Sequence, residues 1–179
     1  MSAMKINLAL FGLLLTMLLP LPAAALSTDS SQPMNIEADR VDIDDEKGIN
    51  TFRGNVVITR GSIRISGDKV VVYRDKNKEL DKIHSTGNLA HFQQTPDNKQ
   101  VPVISEAEEL FYDAVKEILI MRRNGKIIQG GDTFTGDHIV YDSRRNKITA
   151  KQTSSSTTSG RSKGRVHITI QPKKTSPKK

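Results

Sequence analysis

The chain has no cysteine and no tryptophan, and aromatic residues make up only 4% of it. Without cysteine there is no disulfide and no thiolate metal site, so the fold must rest on its core and on backbone pairing. With so few rings, that core has to be mainly valine, isoleucine and leucine. The four histidines, at positions 84, 91, 138 and 167, share no ligand spacing, and neither an HxH nor an HExxH pattern occurs. No metal site is therefore expected. The glycines punctuate alternating segments rather than opening a helix, which argues against a phosphate-binding loop. An enzyme built on this chain would have to work with carboxylates alone, and no spacing marks a catalytic pair of them. Neither an enzyme nor a cofactor is expected.

The first residues read as an address. Lys5 precedes an apolar run from Ile6 to Leu19, followed by Pro20, Pro22 and the small residues Ala23-Ala24-Ala25. That order predicts a secretory signal over residues 1–25, cleaved after Ala25, and the run is too short to span a bilayer comfortably. The 154 residues left carry a net charge of +6, since the signal holds one Lys and no acid. A basic surplus suits an anionic partner, but nucleic acid is not expected outside the cytoplasm. Part of the surplus is a tail, residues 172–179, where Lys173, Lys174, Lys178 and Lys179 stand among Pro and Ser and disorder is expected. Between signal and tail lie a short polar lead, 26–33, and a single domain, 34–171.

What the chain does have is one phrase written four times. A small residue, an acid and two spaced bulky residues recur around Ala38-Asp39, Gly67-Asp68, Ala107-Glu108 and Gly136-Asp137. The acids are 29, 40 and 29 residues apart, which makes a doubled pair. Units of about thirty residues cannot bury an apolar face alone and must stack on one another. Apolar residues alternate with polar ones on both sides of each phrase, the pattern of half-buried strands. The expectation is about a dozen or more short antiparallel strands, with each phrase turning the chain from one wall to a facing wall. The acids then have a structural duty, capping free N–H groups at the bends. The stretch from Glu106 to Met121 has helical composition, but its alignment with the repeat outranks that propensity. Residues 94–102 and 151–164 read as polar loops, and residues 165–170 as a final strand. Two facing apolar walls make either a filled core or a groove that admits a ligand, and periodicity alone favours the filled core.

Three phrases, Gln32-Pro33-Met34-Asn35-Ile36-Glu37-Ala38-Asp39, Phe52-Arg53-Gly54-Asn55-Val56 and Gly67-Asp68-Lys69-Val70-Val71-Val72, together with the closing Val166-His167-Ile168-Thr169-Ile170-Gln171-Pro172, resemble the OstA-like family of lipopolysaccharide-transport proteins. The resemblance covers essentially the whole mature chain. It implies an all-β fold, an open twisted antiparallel β-jelly roll of strand-corner-strand units, working in the periplasm. It implies a groove for lipopolysaccharide acyl chains, with Met34, Ile36, Val56, Ile65, Phe92, Tyr112, Ile120, Phe134 and Tyr141 as lining. It further implies edge strands, Met34-Asn35-Ile36-Glu37 and Val166-His167-Ile168-Thr169-Ile170, that join copies head to tail into a bridge between the membranes. Homologous jelly-roll domains of the inner-membrane export complex and of the outer-membrane translocon would be the end partners. The other function left open is a periplasmic adaptor with a filled core that docks partners along its sheet edges without carrying lipid. Two features depart from the family pattern, Glu108 in place of the usual Asp and the Ser-rich stretch 151–164. Arg60, Arg64, Lys69 and Arg74 would either attend lipid phosphates or form an ordinary solvated face.

Overall fold

The computed structural model describes residues 28–97, 101–152 and 165–172. The expected signal peptide, most of the 151–164 loop and the tail beyond Pro172 lie outside them. Ten strands form one antiparallel sheet: β1 Met34–Glu37, β2 Arg40–Asp44, β3 Ile49–Arg60, β4 Ile63–Arg74, β5 Leu80–Gln94, β6 Val103–Asp113, β7 Ile118–Gln129, β8 Asp132–Asp142, β9 Lys147–Lys151 and β10 His167–Thr169. From β2 to β9 each strand pairs with the next, as the short connections require. A 3-10 turn, Thr28–Ser31, precedes β1 and occupies part of the expected polar lead.

The strands are fewer and longer than the sequence suggests. The repeated phrases do not end strands; they bend them. Register shifts fall at Arg53/Val56, Ser66/Lys69, Thr86/Ala90, Glu106/Glu109 and Arg122/Gly125, forming one row across the sheet. One or two extra residues at each such point bend a strand and raise its twist without breaking the ladder. The sheet is thereby creased into two walls. The first comprises β2, β9 and the segments of β3 to β8 near residues 49–53, 69–74, 80–86, 109–113, 118–122 and 138–142. The second comprises β1, β10 and the remaining segments. The ring centres of Phe92, on the second wall, and Tyr112, on the first, lie 5.4 Å apart, so the walls face each other. One core joins them, with Val56, Ile58, Ile65, Val70, Val72, Leu119, Met121, Ile127, Ile139 and Tyr141 fully buried. No part of Glu106–Met121 is helical: it forms β6, a turn and β7. Burial of its apolar members in this core overrides the local propensity.

Both edges of the sheet are split. β3 carries β1 on its second-wall half, with Ile36 opposite Ile58, and β2 on its first-wall half, with Val41 opposite Phe52. β8 repeats this with β10 and β9, placing Ile168 opposite Phe134 and Ile148 opposite Tyr141. The C-terminal strand is shorter than the sequence suggests, with Val166 and Ile170 outside its three paired residues.

Candidate functional site

The crease is held by the four repeated acids, each receiving an N–H from a residue 15 to 20 positions later in the chain. Asp39 Oδ2 accepts from Asn55 Nδ2 at 3.0 Å, and Asp68 Oδ2 from the Asn88 backbone N–H at 3.1 Å. Glu108 accepts from Asn124 Nδ2 at 2.6 Å, and Asp137 from Gln152 Nε2 at 2.5 Å. Glu108, one methylene longer than its counterparts, also takes Arg123 Nε at 2.8 Å, while that guanidinium reaches Glu109 at 2.7 Å. The acids are structural, and their amide partners are what the repeat phrase alone does not reveal. The signal was there: Gly54-Asn55, Gly87-Asn88 and Asn124-Gly125 recur between the acidic phrases. Asn55, Arg123 and Asn124 hold positive φ at these bends. Gly54 (φ +77°) must be glycine for a second reason, because a Cβ there would collide with the Asp39 carboxylate.

Strand alternation then decides what faces inward. Val56, Ile65, Phe92, Tyr112 and Tyr141 are buried between the walls, and Met34, Ile36 and Phe134 pack against the same cluster while half-buried. His91, next to Phe92, is exposed on the outer side. Ile120 is a correction. It stands opposite Phe111 and Val140 on the outer face, and Leu119 and Met121 fill the interior instead. Ile118-Leu119-Ile120-Met121 is unbroken apolar sequence, so its parity is unreadable until register with Tyr112 fixes it.

The inner surface is mainly apolar from one edge to the other, with Asn50, Ser85 and Ser105 as polar members, and continues beyond the buried core. Val41 and Ile43 at one edge are 54% and 58% exposed, and Ile168 at the other is 55% exposed, all on the inward parity. Within the core the walls are packed rather than hollow. At the N-terminal mouth, a cavity lined by Asp29, Met34, Ile58, Arg60, Ile63 and Tyr112 measures about 20 Å³. Burial pushes the Tyr112 and Tyr141 hydroxyls up, Tyr141 to about 12, so both stay neutral.

Two sets of contacts close the mouth opposite the crease. At the N-terminal end, buried Asp29 accepts from the Ser62 N–H at 2.5 Å, Ser62 Oγ at 2.8 Å and Gln94 Nε2 at 3.3 Å. Arg60 donates to the Gln32 carbonyl at 3.1 Å and to the Ser30 carbonyl. Toward the C-terminal end, Gln129 Nε2 of the second wall donates to Asn146 Oδ1, in a turn of the first, at 2.6 Å. The four basic residues singled out from sequence form no common patch. Arg60 holds the N-terminal turn, Arg74 pairs with Asp45, and Arg64 and Lys69 lie on different walls.

Among the described residues no cluster of His, Asp and Glu could hold a metal ion. A sequence model of the family described as "LptA/(LptD N-terminal domain) LPS transport protein" matches residues 35–147. The lipopolysaccharide export system protein LptH of Pseudomonas aeruginosa is 35% identical over 153 residues, covering 85% of this chain and 86% of that protein. The lipopolysaccharide export system protein LptA of Escherichia coli K12 is 35% identical over 152 residues, covering 83% and 80%. The crystal structure of LptH, the LptA-homologous periplasmic component of the lipopolysaccharide transport device of P. aeruginosa, superposes with a TM-score of 0.71 at 32% identity, over 80% of this chain and 99% of that one. With the match of sequence, of the creased sheet and of most of its length, this chain belongs to the LptA/LptD N-terminal domain family of lipopolysaccharide-transport proteins.

Proposed function

We propose that this chain is a periplasmic segment of a lipopolysaccharide bridge, in which the acyl chains travel between the two walls and copies join edge to edge. The observation that carries the reading is the apolar inner surface that runs past the core to exposed Val41 and Ile43 at one edge and Ile168 at the other. An edge-to-edge neighbour would cover those side chains and extend one lining into the next. Each buried CH₂ contributes about 0.8 kcal/mol, so a chain of about a dozen carbons gains on the order of 10 kcal/mol in such a path. At the N-terminal mouth, where the cavity measures about 20 Å³, the walls must part to admit it. The mouth contacts of Asp29, Arg60 and Gln129 are the ones that would open. The lining would be the set that the family resemblance implies without Ile120, with Leu119 and Met121 added.

The joint would use both halves of each split edge: β1 and β2 of one copy against β10 and β9 of the next. An unlike pair of edges does not close on itself, so it extends or meets a homologous jelly-roll domain at either membrane. Photo-crosslinkers at Ile36 and Tyr112 should capture lipopolysaccharide, and one at exposed Lys76, in the turn after β4, should not. Equal capture at all three positions would overturn this function. The filled-core adaptor is favoured by one observation, the close packing between the walls. It is the reading left standing if oligomers form and no position captures lipid.

A further inference from the structure

The outer face of the first wall carries two parallel lines that lipid transport between the walls does not use. The first is cationic and runs beside the crease. Arg40 on β2 stands directly opposite Arg53 on β3, which stands opposite Lys69 on β4. The line continues through Thr86, Glu109, Arg122 and His138 to Lys151 on β9. Like charges directly opposite across strands destabilise a sheet, so three in succession oppose the fold unless something else balances them. Among the described residues, Arg40, Arg53, Lys69 and Arg122 form no ion pair. The acids nearby are committed: Asp39 and Asp68 to the crease, Glu109 to Arg123 at 2.7 Å. Asp42, one strand-step from Arg40, is the exposed exception.

The second line lies two residues further along each strand, about 7 Å away. It holds Val71, His84, Phe111, Ile120 and Val140 in register. His84 stacks on Phe111 at 4.1 Å, and the Arg122 guanidinium lies 4.8 Å from the centre of the same ring, tying the two lines together. A trough of about 360 Å³ runs along this line, bounded on the side away from the Arg40–Arg53–Lys69 line by Tyr73, Lys82, Asp113 and Ile118. The second wall lacks the pattern. Of its outer cations, Arg64 stands opposite Thr59 and Gln93, with no second cation across from it, and Lys126 is paired with Glu106 at 3.2 Å, with His91 3.8 Å from the same carboxylate.

We propose that the outer face of the first wall docks on an anionic bilayer surface. Headgroup phosphates would meet Arg40, Arg53, Lys69 and Arg122, and the neighbouring apolar line would lie against the acyl boundary. Charge complementarity selects this occupant: a line of unpaired cations alongside an apolar strip matches a phosphate layer above hydrocarbon. The contact is independent of the lipid path between the walls.

The test is co-sedimentation of the full mature chain with vesicles free of lipopolysaccharide, made of phosphatidylcholine with or without phosphatidylglycerol. Binding is expected only with phosphatidylglycerol, and it should weaken as salt rises. Neutralising the line as Arg40→Gln/Arg53→Gln/Lys69→Gln should cost about a hundredfold in partitioning. Ile120→Ser should cost a few-fold, and Lys126→Gln on the second wall should change nothing. Circular dichroism confirms that each variant is folded, and crosslinking of lipopolysaccharide at Tyr112 should persist in the triple variant. The proposal is overturned if the triple variant binds like the parent. It is equally overturned if neutralising Lys173, Lys174, Lys178 and Lys179 of the tail removes all binding, or if pure phosphatidylcholine binds as well.

Discussion

The two edges of the sheet are built alike and finished differently. Each is one long strand carrying two short ones end to end, β1 and β2 on β3, β9 and β10 on β8. At the N-terminal edge, the turn Thr28–Ser31 folds back over the mouth and is anchored by Asp29, which is 4% exposed, and by Arg60. At the C-terminal edge, all three residues of β10 are exposed, and among the described residues a bond from the Gln171 N–H to Asp132 Oδ1 at 2.9 Å fastens the residues just past the strand. Identical backbone needs therefore gave one anchored edge and one lightly held edge. The difference separates stability, which the first edge governs, from availability for pairing, which the second offers.

The sharpest way to break this contrast is to cut the chain after Gly164. That removes β10 and leaves β9, so half of the C-terminal edge is lost. Self-association, followed by sedimentation at matched concentrations, should fall by about a hundredfold, from the loss of about three backbone pairings. The monomer should stay folded, since β10 buries almost nothing. Equal association of the cut and full chains would show that the C-terminal strand is not the joint.

The anchored edge is tested by Asp29→Ala against Asp132→Ala. The first leaves the Ser62 N–H and the Gln94 amide without their buried acceptor, at a cost of about 1–3 kcal/mol. In a domain of this size that lowers the melting temperature by roughly 2–10 °C. The second removes one exposed bond and should cost less than about 1 kcal/mol. Equal shifts for the two would mean that the N-terminal turn is not an anchor.

A smaller effect asks whether both edges feed one joint. Val41→Ser/Ile43→Ser and Ile168→Ser remove apolar groups that are already more than half exposed in the monomer. Melting temperature should hardly move, while association weakens by roughly tenfold in each, as expected for partial burial of such side chains. A variant that melts early without associating less would mean that these residues serve the monomer and not the joint.

The smallest effect lies away from both edges. Burial lowers the His84 pKa below its ordinary 6.5; Glu109 opposes that shift, and Lys69 and Arg122 add to it. Because the unfolded chain takes the proton more readily, the stability from this site is complete above about pH 6.5 and is lost as pH falls through the folded value. His84→Gln should abolish that slight acid-side loss in thermal melts between pH 7 and 5. A full-size loss persisting in the variant would place its origin elsewhere, including at the edges.

Much of the molecule was legible in the residues themselves. Four acids at spacings of 29, 40 and 29 announced a row of bends, and alternation together with the family resemblance pointed Tyr112 and Phe92 inward, with His91 competing at Phe92. Met34–Glu37 could be bounded from Pro33 and the Ala38-Asp39 phrase. Tertiary structure alone decided the rest. Whether Leu119 or Ile120 turns inward has no local signal in an unbroken apolar run, and register with the neighbouring strand settles it. The amide partners of the four acids lie 15 to 20 residues away, so only the paired sheet brings them within reach. The anchoring of Asp29 on Ser62 and Gln94 spans 33 and 65 residues, and the cationic line draws one residue from each successive strand. Periodicity is a property of neighbours along the chain and survives in the sequence. Contacts between distant segments exist only once the sheet has closed their separation.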